Sequence, residues 1–221
     1  MESFLKILLF GHIAAGFVGF LAGILSLISK KGQTRHKLAG NLFYISMTLV
    51  CLSAFTLGIL KDLHFFILVA VFSFYSILAG KRALMLKKSD VSFLDYIIHG
   101  TALIFMLLFL AFAVYIFRKN TTLGVLSGAF GLGGLLNIKT YAGTIWKQDH
   151  TYLMRVHIGG MVGGFIAALT AFSVQSFYFL PDLWRWLWPT LVLTPVIAYW
   201  QRKYTGLKTV KSNLANTTKI N

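Results

Sequence analysis

Seven apolar stretches, separated by short polar loops, constrain this chain more than any other feature in it. They fall at residues 4–28, 38–60, 64–86, 93–117, 123–138, 156–180 and 183–200. A helix needs about 20 apolar residues to cross the roughly 30 Å hydrocarbon core of a bilayer. Because no water reaches that core, every backbone group must be paired within the segment, which selects helices. The expected fold is therefore an all-α membrane protein, a bundle of about seven transmembrane helices, with the short and glycine-rich fifth span the weakest of the set. Composition agrees: 57% hydrophobic against 12% charged residues, with a mean hydropathy of +0.74, excludes an ordinary soluble domain.

A net charge of +15 invites a nucleic-acid reading, so the placement of the basic residues has to decide. Sixteen of the 21 Lys and Arg residues fall on one side of the expected bundle, among them Lys30, Lys31, Arg35 and Lys37 after the first span and Lys81, Arg82, Lys87 and Lys88 at and beyond the end of the third. Lys6, Lys61, Arg118, Lys119 and Arg185 fall on the other. By the positive-inside rule this puts the amino terminus outside and the carboxy terminus in the cytoplasm of an inner (plasma) membrane, as a multipass protein. The bilayer then accounts for the charge, and no nucleic acid is implied. Residues 1–200 form the transmembrane domain; residues 201–221 are a basic tail, expected to be disordered and near anionic headgroups.

Smaller signals refine this picture. The first span is read as a membrane helix, since no small-residue cleavage site precedes a polar region. The single cysteine, Cys51, lies within an apolar run and cannot form an intrachain disulfide. Trp184, Trp186 and Trp188 follow Pro181 as interfacial anchors, and Pro189 and Pro195 are expected to bend the last span. On the first span His12, Gly16, Gly19 and Gly23 share a helical face; on the sixth His157, Gly160, Gly164, Ala167 and Ala171 do the same. Such faces either let neighbouring helices approach closely, within the chain or from another membrane protein, or leave a slot for a flat cofactor or lipid.

The order of HIAAG at His12, RHKLAGNLFY at 35–44, FYSILAGKRAL at 74–84, HIGGMVGGFIAALTAF from His157 and PTLVLTPVIAYWQRKY from Pro189 resembles the multipass proteins of the domain of unknown function 2306 type. That resemblance covers most of the chain and implies a seven-helix inner-membrane protein. It implies no activity. His12, His36 and His157 are the motif positions it carries over.

Ionisable groups inside a bilayer are costly, so those present are functional candidates. At about 1.5 Å per residue, His36 and His157 lie at the cytoplasmic boundary, His99 roughly 8 Å inside it, and His12 about 12 Å in from the opposite face. Asp95 precedes His99 by four residues, so both share a helical face on which the carboxylate would orient the imidazole, or else be neutralised by Arg35 or Arg155. His36, Asp95, His99 and His157 form the candidate metal set, with zinc as the ion, and His12, His36, His99 and His157 the candidate ligands of a b-type haem. Competing readings are a small-solute or proton transporter using His12 and His99, and a non-catalytic assembly subunit. No GxSxG elbow is present, and the glycine run at 128–134 lies within a span rather than between a strand and a helix.

Overall fold

The computed structural model describes residues 2–86 and 90–206. Within them the chain is helical, with no strand, and contains seven long helices: α1 (Glu2–Ile28), α2 (Thr34–Leu60), α3 (His64–Leu86), α4 (Phe93–Phe117), α5 (Thr121–Ala142), α6 (His150–Ser176) and α7 (Asp182–Gln201). A 3-10 turn, Gly143–Ile145, follows α5, and a π turn, Arg202–Gly206, follows α7. Of the expected tail, residues 207–221 lie outside the described residues. α3 and α4 coincide with their expected spans, and the short fifth span extends to a full crossing length of 22 residues.

Local chemistry sets several of these boundaries. The Asn120 side chain accepts the Leu123 N–H at 2.9 Å and starts α5, and Asp149 accepts the Tyr152 N–H at 3.0 Å and starts α6. Asp95 reaches back to the Ser92 N–H at 2.8 Å, the reciprocal half of a capping box at the start of α4. Gly32 turns the chain between α1 and α2 with φ +80°, a left-handed conformation that glycine adopts without a Cβ clash.

Six helices, α1 to α6, are long and apolar enough to cross a membrane. α7 is shorter and less apolar, carrying Asp182 and Arg185 in its first turns and Pro189 and Pro195 within it. The distribution of side chains is inverted relative to a soluble protein. Phe10, Ile28 and Val114 are 75%, 75% and 80% exposed, whereas Ser46, Ser76, Ser127 and Ser173 are buried. Lipid is as apolar as leucine, so helices associate through small residues and polar contacts while large aliphatic groups face outward.

α3 and α6 are central. α3 packs on α2, α4, α5 and α6, while α6 also meets α1, α2 and α7. One core gathers Phe65, Met106, Phe109 and Leu126 with Tyr75 and Tyr141; the other gathers Ala22, Phe43, Met47, Ile77 and Phe165. The glycine faces are filled within the chain. Gly19 lies against Ser46 and Met47, Gly23 against Phe165 and Phe43, Gly160 against the backbone at Gly80, and Gly164 against Ile77. Close helix packing, the first of the two readings of these faces, therefore occupies them at Gly19, Gly23, Gly160 and Gly164.

The three tryptophans separate. Trp184 is exposed, but Trp186 packs edge-on against Phe65 at 5.4 Å, and Trp188 donates its indole N–H to Ser173 Oγ at 2.7 Å while stacking on Phe177. Trp188→Phe should keep the stack but lose the hydrogen bond to a fully buried hydroxyl. A loss of about 1 kcal/mol is expected, read as a small drop in the unfolding midpoint in detergent.

Candidate functional site

Side-chain hydrogen bonds between helices gather at one end of the bundle, where α1, α3, α5 and α7 finish and α2, α4 and α6 begin. His36, near the start of α2, places Nδ1 3.1 Å from the Ser26 carbonyl and 3.2 Å from its hydroxyl. His157, on α6, places Nδ1 2.9 Å from the Gly80 carbonyl of α3. A carbonyl only accepts, so in both rings Nδ1 carries the proton. In the neutral ring this leaves Nε2 as a lone-pair donor, the arrangement by which a backbone carbonyl orients a ligating histidine.

His12 repeats the pattern away from that end. Its Nδ1 lies 2.9 Å from Ser53 Oγ on α2, and that hydroxyl donates to the Leu49 carbonyl at 2.7 Å. With its proton committed, Ser53 accepts from Nδ1, and Nε2 again keeps its lone pair. His99 differs. Its Nδ1 meets the Tyr75 hydroxyl at 2.8 Å, a group able to donate or accept, and Tyr75 in turn packs against Tyr141 with ring centres 5.7 Å apart. His64 and His150 are the first residues of α3 and α6.

Asp95 departs from both expectations for it. Tyr75, not Asp95, holds the His99 ring. The carboxylate is bound in a fork by Arg82, with Nε 2.6 Å from one oxygen and a terminal nitrogen 2.7 Å from the other, rather than by Arg35 or Arg155. Arg82 reaches it because α3 carries it in its last turns, opposite the first turn of α4 that holds Asp95. Among the described residues no three His, Cys, Asp or Glu side chains are placed to hold a metal ion together, so the four-member set of His36, Asp95, His99 and His157 does not converge. What remains is His36 and His157 at the same end of the bundle, each with Nδ1 on a backbone carbonyl.

Lys31, in the turn between α1 and α2, closes the end of α1. Its amino group donates to the carbonyls of Ser26 at 3.1 Å, Leu27, and Ser29 at 3.2 Å, and sits 4.4 Å from the centre of the Trp200 ring. Burial holds this amine below the ordinary lysine range, and the nearby Lys203 cation acts in the same direction. The contact ties the end of α7 to the turn beside His36. Two open grooves flank this end, of about 600 Å³ beside Lys30, Gln33 and Arg35 and of about 510 Å³ between α2, α3 and α4, and neither is lined by a histidine.

Sequence reasoning singled out the histidines but missed the groups that hold them. Tyr75 and Gly80 both lie in FYSILAGKRAL, where only family resemblance drew attention to them; Ser26 and Ser53 are lone hydroxyls in apolar runs, which carry no local signal. Comparison with models of known protein families, with curated proteins and with solved structures finds no match to this chain.

Proposed function

We propose that this chain is a seven-span protein of the inner (plasma) membrane, amino terminus outside and carboxy terminus cytoplasmic, in which His36 and His157 present Nε2 lone pairs to a transition-metal ion. The six apolar helices and the basic residues gathered at one end of the bundle support the topology. A reporter active only in the cytoplasm, fused to the carboxy terminus, should be active. Activity instead from a reporter that works only outside would reverse the orientation.

The observation that carries the chemical reading is the Nδ1–H bond of each ring to a backbone carbonyl, which fixes the tautomer and aims the other nitrogen. A borderline divalent ion such as zinc accepts imidazole nitrogen, and water or a bound substrate would complete its coordination. The ion is favoured over haem because the glycine faces that would admit a flat macrocycle are occupied by Phe165, Ile77 and the Gly80 backbone. The test is metal content of the purified full chain after equilibration with zinc and removal of free ion. Wild type should hold about one ion per chain, and His36→Ala and His157→Ala should each weaken retention on the order of tenfold or more, while His12→Ala leaves it unchanged. Metal-free wild type, or retention indifferent to His36 and His157, defeats the proposal; a visible haem spectrum would replace the ion with iron porphyrin.

A second reading rests on His99. Its hydrogen bond to the buried Tyr75 hydroxyl, with Tyr141 alongside, is a pair that can pass a proton. In that reading, proton flux through reconstituted vesicles should fall in both His99→Phe and Tyr75→Phe. Wild-type flux no greater than that of empty vesicles removes it.

A further inference from the structure

The groove between α2, α3 and α4 combines apolar walls with a small set of charges. Leu78 and Met85 of α3 and Leu94 and Ile98 of α4 form the walls. Four charged residues also line it, and two of them, Arg82 and Asp95, neutralise each other through the fork. The remaining two are Lys81 and Asp90. Lys81 donates to the Asn41 side-chain oxygen at 2.5 Å and lies 5.7 Å from the centre of the Tyr44 ring. Neither Lys81 nor Asp90 belongs to an ion pair among the described residues.

We infer that this groove seats a phospholipid with a primary-amine headgroup, its phosphate on Lys81, its ammonium on Asp90 and an acyl chain along Leu78 and Ile98. The inference needs the helices to span a bilayer but not the metal site. Position along the helices supports it. Lys81 lies five residues before the end of α3, about 7.5 Å inward, and Asp90 precedes the first residue of α4. Leu78 is deeper than Lys81, and Ile98 deeper than Asp90. Ammonium outermost, phosphate next and chains innermost is the order in which an ethanolamine phospholipid presents its groups. A phosphatidylglycerol would satisfy Lys81 but offers Asp90 only neutral hydroxyls in place of a cation, and a choline headgroup has no N–H to donate to a carboxylate. Basic sites between transmembrane helices near the cytoplasmic leaflet are established places for headgroup recognition.

Native mass spectrometry of the full chain, offered equal amounts of ethanolamine, glycerol and choline phospholipids with identical acyl chains, tests this. Wild type should retain the ethanolamine lipid about three- to fivefold over the other two, the scale of one exposed ion pair. Asp90→Asn should abolish that preference while phospholipid still binds. Lys81→Gln should lower retention of all three. Asp90 is exposed and Lys81 half-buried, and an unchanged unfolding midpoint in the variants separates lost binding from lost folding. Equal retention of the glycerol lipid by wild type, or unaltered retention by Lys81→Gln, overturns the proposal.

Discussion

Gly160→Ala is expected to be among the most damaging single substitutions in this chain, although it adds one methyl group. A Cβ at residue 160 would lie 2.7 Å from Gly80 Cα and 2.8 Å from Gly80 N, and closer still to the Ser76 carbonyl oxygen. All three are backbone atoms, so no rotamer change relieves the overlap, and α3 and α6 have to move apart. Overpacking costs about 1–3 kcal/mol where side chains can adjust, and this site belongs at or above the top of that range. The displacement also reaches the candidate site, because the His157 bond to the Gly80 carbonyl exists only at this separation. The unfolding midpoint in detergent should drop clearly for Gly160→Ala, and zinc retention should fall as it does for His157→Ala. Gly163→Ala is the control: nothing lies within 4 Å of its added Cβ, and a change within about 0.5 kcal/mol is expected. Equal midpoints for the two variants would show that the crossing is not tight.

Particular residues show why some of this was legible in the sequence and some was not. Helix positions followed from the length of apolar runs, a property local to each segment, and α3 and α4 begin and end where hydropathy places them. The glycine faces were also visible, because helical spacing alone puts Gly160 and Gly164 on one side of α6. Which partner fills a face is a long-range matter, and neither Gly80 nor Ile77 could be matched to α6 from spacing. The same limit governs the candidate site. His36 and His157 stand out as histidines at the membrane boundary within recognisable motifs, whereas the Ser26 and Gly80 carbonyls that orient them are invisible in a sequence. Charge was misread for a related reason. Arg82 lies inside the expected third span but was weighed only as one positive charge among the basic residues, and nothing local to the sequence pairs it with Asp95, thirteen residues on and in the next helix.

That ion pair is where a second large effect is expected. The Asp95 side chain is 2% exposed and accepts from Arg82 Nε, a second Arg82 nitrogen, the Ser92 N–H and the Ser92 hydroxyl. Asp95→Leu removes every one of these acceptors and leaves the guanidinium, only 19% exposed, without its counter-charge. Losing one partner of a buried pair costs about 3–5 kcal/mol, since the other charge stays desolvated. A further cost of about 1 kcal/mol comes from the helix cap that Asp95 supplies to α4. The double variant Arg82→Met with Asp95→Leu separates the two contributions. With both charges gone, an apolar pair in the same space should recover most of the loss, leaving a deficit close to that of the missing cap. Unfolding midpoints in detergent for the two single variants and the double variant provide the measurement. Recovery in the double variant identifies charge isolation as the source of the damage, and a double variant weaker than either single one would mean that Arg82 and Asp95 support the fold through separate contacts.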